Sequence, residues 1–249
     1  MVRFSIASLA LLAAVSVSSP VAAQQIAFTG SSSATSGTAA NVRSYSNGAI
    51  QVQASAWSYN GSTLQQAFLG QYGTGIGVTN AAEGTGLIGN SHTTDNVGQA
   101  DFILLLFNQA VNISSARLTP YSVATTPLDN DAYVSYASAA LPFTSSPTAV
   151  PLASSVFASL LSNGYNVSGN VTSPYTTLLN SSSLFGNVWV IGAARTNPDA
   201  NADGFKLTSI DVTAAVPEPS TWAMMLLGFG AIGVASRRRR KTLVLAQAV

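Results

Sequence analysis

The continuous apolar run ADFILLLF, Ala100 to Phe107, constrains this chain more than any other stretch. It reads as a strand covered on both faces. Period-two alternation elsewhere agrees with it. In AIQVQASAW (Ala49 to Trp57), Ile50, Val52, Ala54 and Ala56 fall on one face, and Gln51, Gln53 and Ser55 on the other. AYVSYAS (Ala132 to Ser138), NVWVIGAAR (Asn187 to Arg195) and FKLTSIDV (Phe205 to Val212) add three more strands, divided by Gly, Asn, Ser and Pro clusters at irregular spacing. Only SSVFASLLSNG (Ser154 to Gly164) has helical character, with Ser154 or Ser155 to cap it, Phe157, Leu160 and Leu161 as a stripe, and Gly164 to end it. The expected fold class is mainly β: one antiparallel β-sandwich or jelly-roll ectodomain over residues 49–215. A Ser/Thr/Gly-rich lead over 24–48, centred on Thr29 to Asn41, reads as flexible.

Charge is segregated along the chain. Of its ten cations, Arg3 and the block Arg237, Arg238, Arg239, Arg240 and Lys241 lie at the ends, leaving Arg43, Arg117, Arg195 and Lys206 inside. Eight of the nine acids share that interior, so it carries 4 − 8 = −4. A body of that sign argues against nucleic acid as a partner, because binding to phosphates needs a basic surface. There is no cysteine, so disulfides and thiolate metal sites are excluded.

Both ends read as membrane-directed. Arg3, the apolar segment Phe4 to Val17, the break at Pro20 and the small residues Val21-Ala22-Ala23 form a secretory signal peptide over 1–23, with signal peptidase cutting between Ala23 and Gln24. An uncleaved anchor is the alternative, but the apolar segment is short for one. Near the other end, Trp222 to Ala235 is an apolar stretch of fourteen residues. As a short transmembrane helix it would reach roughly 21 Å, against a hydrocarbon core of about 30 Å. Trp222 suits one interface, and the basic block suits the cytoplasmic side. A buried core helix fits the length but not five consecutive cations. The expectation is an exported body, a marginal membrane stop and a cytoplasmic tail over 242–249.

The segment Val216 to Lys241 joins Pro217-Glu218-Pro219, Trp222-Ala223-Met224-Met225, a Gly-rich apolar run and the Arg cluster. It resembles the PEP-CTERM sorting signal of Gram-negative bacteria, also labelled an ice-binding protein C-terminal domain. The resemblance implies that exosortase, a membrane protease-transpeptidase, reads Pro217, Glu218, Pro219 and Trp222, and that the basic cluster holds the stop. It implies a protein first anchored in the inner membrane and then placed on the surface or in the extracellular matrix. The tail TLVLAQAV departs from the family, most of whose members end soon after the cations. The prolines fit such a role physically, since they fix φ and keep the preceding residues extended for a protease. The stretches SHTTDN…DFILLLF (Ser91 to Phe107) and DGFKLTSI (Asp203 to Ile210) also resemble segments of other exosortase-dependent surface proteins, a resemblance that implies a β-rich body.

Several loops carry possible chemistry. DANADG (Asp199 to Gly204) places Asp199, Asn201 and Asp203 at alternate positions before a glycine, the opening of a calcium loop. Isoleucine at 210 excludes an EF-hand, and a polar hairpin turn is the plainer reading. LDNDA adds Asp129 and Asp131 as a second acidic loop. His92 is the only histidine, with Asp95 three residues on, yet there is no G-x-S-x-G elbow to make it part of a serine hydrolase. Glu83 is the only glutamate in the body, which weighs against a glycosidase pair.

Two function classes follow. One is a non-enzymatic surface or matrix protein associated with extracellular polysaccharide and biofilm, its Asn/Ser/Thr loops and the aromatics Trp57, Tyr59, Tyr72 and Tyr165 serving sugar contacts. The other is a secreted polysaccharide hydrolase using Asp101 or Asp131 with His92. Ice binding or adhesion ranks below both, for want of a regular Thr array. No cofactor is expected beyond calcium.

Overall fold

The computed structural model describes residues 23–31, 34–124, 127–140, 143, 159–160, 162–169, 176–180, 184–196, 199–215, 223–234 and 237. Two compact units result, residues 22–215 and a second one made of 1–21 with 216–249.

The first unit is antiparallel β throughout its ladders. Its strands are β1 (Gln24–Ala27), β2 (Val42–Asn47), β3 (Ile50–Tyr59), β4 (Leu64–Tyr72), β5 (Gly75–Thr79), β6 (Thr94–Asp95), β7 (Ala100–Pro120), β8 (Ala132–Ala137), β9 (Tyr165–Val167), β10 (Thr176–Leu178), β11 (Gly186–Ala193) and β12 (Gly204–Ala214). The mainly β expectation holds. The lead over 24–48 contributes β1 and β2, paired to β12 and β3.

The long β7 organises everything. Residues 100–107 pair with β3, residues 102–106 and 111 with β11, residues 111–120 with β12, and residues 115–117 with β10. Because β12 also pairs with β5, β5 with β4, and β4 with β3, hydrogen bonding returns to β7 and closes a ring. The sheet is therefore barrel-like and continuous, where the sequence reading had two stacked layers of a sandwich or jelly roll.

The run ADFILLLF is covered on both faces, as its composition requires. Ile103, Leu105 and Phe107 enter the larger core with Val52, Ala54, Ala56 and Phe205. Phe102, Leu104 and Leu106 enter a second cluster with Trp57, Tyr133, Leu160, Val188 and Val190. Burial of each such aliphatic side chain contributes about 2 kcal/mol. Leu160 belongs to the segment read as a helix. Ser159, Leu160 and Ser162 are helical, and the Asn163 amide donates to the Ser159 carbonyl at 3.0 Å. Residues 154–158 lie outside the described residues.

In the second unit, residues 223–234 form a helix with Met224, Leu226, Phe229 and Ile232 exposed. No helix among the described residues is long and apolar enough to cross a membrane. Residues 223–234 of the expected span from Trp222 to Ala235 are thus helical, Trp222 and Ala235 lie outside the described residues, and the transmembrane reading stays an expectation. The signal-peptide segment up to Ala22, the Pro217-Glu218-Pro219 motif and the cations after Arg237 lie outside the described residues.

Candidate functional site

The body of this chain holds eight acids, and six of them collect in two clusters. The chain is so poor in charge that this gathering is its most distinctive chemical feature. Three connections, between β5 and β7, between β7 and β8, and between β11 and β12, supply most of the side chains.

The first cluster joins Asp129, Asp131 and Asp203, whose carboxylate oxygens lie within 4.8 Å of one another. Local geometry holds them there. The Asp131 amide donates to Asp203 Oδ1 at 3.1 Å, the Gly204 amide to the Asp129 carbonyl at 2.9 Å, and the Gly169 amide to Asp131 Oδ1 at 2.6 Å. Asn96 clasps Asp203 from the other side: its Nδ2 donates to Oδ2 at 2.6 Å, and its Oδ1 accepts from the Asp203 amide at 3.0 Å. Burial, then repulsion from Asp129 and Asp131, pushes Asp203 up to about 8. Asp129 is pushed up to about 6 by burial and by its hydrogen bond to Asp199. That same bond holds the exposed Asp199 below the usual range.

The sequence reading had grouped Asp199, Asn201 and Asp203. Asp203 is indeed a member, but Asp129 and Asp131 are its companions. Asn201 instead turns its amide onto Asp199, with Nδ2 donating to Oδ2 at 3.0 Å. The left-handed Ala200, at φ 65°, curls the loop in that direction.

The second cluster joins Glu83, Asp95 and Asp101, again with ligand oxygens within 4.8 Å. Glu83 closes a single 3-10 turn, Ala81–Glu83, through a capping box with Asn80. Asp95 sits in β6 opposite Gly204, and Asp101 is the second residue of β7. The segment from Thr94 to Asn96 thereby touches both clusters. Sequence spacing could not reveal this trio, although the scarcity of acids in the chain was a usable signal.

Other expected site residues fall elsewhere. His92 places Nδ1 2.8 Å from the Gly86 carbonyl and rests its ring on Tyr72 at 5.1 Å. Its pKa is lowered by burial and by Lys206, and no carboxylate contributes to that shift. Trp57 is buried in the second core, its Nε1 donating to Ser55 at 3.1 Å, which removes it from the sugar-contact set. Tyr72 is half-buried over Lys206, and Tyr165 is half-buried against the larger core. Tyr59 lines an open groove of about 390 Å³ with Asn60, Asn96 and Arg195.

Ala23, exposed, immediately precedes β1, so a cut before Gln24 would leave that strand whole. At the far end β12 stops at Ala214, and the Ala215 amide donates to the Ala110 carbonyl at 3.0 Å. Directly there, residues 215–240 match the family described as the PEP-CTERM protein-sorting motif. The chain carries a PEP-CTERM sorting signal. The motif implies processing by exosortase and export to the cell surface. The PEP-CTERM segment takes over where the barrel-like sheet ends, so sorting and folding occupy separate stretches of chain. Neither the curated proteins nor the solved structures yield a match.

Proposed function

We propose that this chain is a non-enzymatic surface or matrix protein whose folded cargo, residues 24–215, is delivered by signal peptidase at one end and exosortase at the other, and lodges in extracellular polysaccharide. The observation that carries it is the sorting motif at 215–240, adjoining the last strand. In this reading the apolar helix is a temporary inner-membrane stop, its orientation set by Arg237 to Lys241. The groove beside Tyr59 and Arg195 supplies an aromatic face and amide donors of the kind that meet sugar hydroxyls. Calcium at Asp129, Asp131 and Asp203 would fasten the loop preceding β12. The polysaccharide hydrolase is disfavoured by His92, whose ring is engaged with Gly86 and Tyr72 and not with Asp101 or Asp131.

The test is export in a host that carries exosortase. With Pro217 and Pro219 both changed to Ala, the full-length precursor accumulates in the membrane fraction and the surface form disappears. Equal surface delivery of variant and native chain would refute processing at this motif.

A further inference from the structure

The cluster of Glu83, Asp95 and Asp101 differs from an ordinary acidic surface patch in its burial. Asp101 is wholly inaccessible and Asp95 is 1% exposed. Asp101 lies on the face of β7 that also carries Ile103 and Leu105, pointing into the larger core at its rim. One of its oxygens accepts from Asn80 Nδ2 at 3.1 Å. The other, Oδ2, is buried with no hydrogen-bond partner. Ser58 stands directly opposite Asp101 on β3, on the same face of the sheet, and its Oγ is likewise buried and unpartnered. Native interiors satisfy such groups, because an orphaned buried acceptor forfeits its hydration for nothing. Two orphaned buried oxygens, one within the group of three converging carboxylates and one paired across from it, offer acceptor capacity that a cation would satisfy.

The remaining contacts hold the carboxylates in position without neutralising them. Glu83 Oε2 accepts from the Asn80 amide at 2.6 Å, Asp95 Oδ1 from the Val97 amide at 2.9 Å, and Asp95 Oδ2 from Thr93 Oγ1 at 3.1 Å. All three acids are pushed above the usual carboxylate range, first by burial. Glu83 and Asp95 raise Asp101 further, and none of the described cations figures among the groups acting on them. A set of hard oxygens with excess negative charge and no nitrogen or sulfur suits a cation of calcium's kind.

We propose that Glu83, Asp95 and Asp101, with Ser58 across from Asp101 on β3, form a calcium site separate from the Asp129 cluster. Its ion ties the turn after β5, the short β6 and the start of β7 together at the rim of the core. The inference is independent of how the chain is sorted, since it concerns the purified protein alone.

The test is calorimetric titration of the full chain, in detergent, with calcium chloride at pH 8. Glu83→Gln keeps an acceptor for the Asn80 amide and so keeps the turn, but removes a charge. It weakens one class of calcium binding at least tenfold, as does Asp101→Asn. Asp131→Asn, which alters only the other cluster, leaves that class intact. Lowering the pH to 5.5 weakens binding at least tenfold in the native chain, because protons compete for the same oxygens. The proposal is overturned if the native chain takes up no calcium, or if Glu83→Gln binds the same number of ions with unchanged affinity. Should Asp101→Asn fail to fold, Glu83→Gln decides the matter alone.

Discussion

Lys206 shows how a single cation is accommodated inside this sheet. It is 2% exposed, and its Nζ stands 4.4 Å from the centre of the Tyr72 ring and 4.0 Å from that of Tyr121. The two ring faces supply electron density in place of water. Burial nevertheless pushes the ammonium down to about 8. The unfolded chain, with an ordinary lysine, therefore binds more protons than the folded one between pH 8 and 10.5, so the charge penalty is relieved as pH rises through that interval. Lys206→Met has nothing to relieve. The stability of the native chain relative to Lys206→Met should rise from pH 8 to 10.5 by at most about 3 kcal/mol. Urea melts at both ends of that interval measure it, and a constant difference would show that the amine is not held neutral by burial. None of this was legible in the sequence, since Tyr72, Tyr121 and Lys206 are far apart along the chain and meet only through the ring closure of β4, β5, β7 and β12.

At the scale of elements, the sequence disclosed strands whose apolar residues are uninterrupted and hid those that rely on glycine. β3, β8, β11, β12 and the first half of β7 were legible. β4 and β5, within LQQAFLGQYGTGIGVT, were not among the expected strands, their apolar residues being interrupted by glycines. The structure gives the physical reason for them. A Cβ on Gly75 would lie 2.4 Å from the Leu207 carbonyl oxygen, and one on Gly77 would lie 2.3 Å from that of His92. These glycines permit backbones to approach where β5 bridges to β12 through a single pair, Ile76 with Leu207. Gly75 also has φ +130°, which a side chain strains. Gly75→Ala should therefore cost about 3 kcal/mol and open the ring at this narrow joint first. Hydrogen exchange should quicken in β5 before β11, and uniform protection in both would refute the joint. The second half of β7 was obscured differently, by polar residues such as Asn112 and Ser115 that are buried in use. For the candidate site, the sequence placed Asp203 correctly on a loop before β12. Its partners come from other loops, which no spacing rule reaches. The two stretches that resemble exosortase-dependent proteins, Ser91 to Phe107 and Asp203 to Ile210, meet in the β6–β12 ladder and in the Asn96–Asp203 clasp.

For the whole molecule, the gathering of the acids sets the response to pH. In most proteins carboxylates are stabilised by neighbours, so their pKa values fall on folding and stability is lost in acid. Here Glu83 and Asp203 rise to about 8, Asp95 and Asp129 to about 6, and Asp101 well above its ordinary value. Each of these groups binds its proton more tightly in the folded chain. The stability it contributes is complete below about pH 4 and is lost as pH rises through the folded value. The groups with lowered values act outside the decisive interval: Asp199 below pH 3.8, His92 below pH 6.5, and Lys206 above about 8. Between pH 6.5 and 8 Glu83, Asp203 and Asp101 therefore dominate, each costing at most about 1.4 kcal/mol per pH unit and less where solvent screens it, since Asp95 and Asp129 have given up their protons near pH 6. A chelated sample should melt at a progressively lower temperature across that interval. At the proposed sites calcium would replace the protons that the clusters surrender, and a ligand bound only by the folded state stabilises it by about 2.7 kcal/mol at a hundredfold excess over its dissociation constant. With millimolar calcium the melting temperature should stay nearly level from pH 6.5 to 8, so the gap between the calcium and chelator curves widens with pH. A chelated chain whose melting temperature stays flat or climbs over that interval would show that the buried acids are neutralised within the fold and call for no cation.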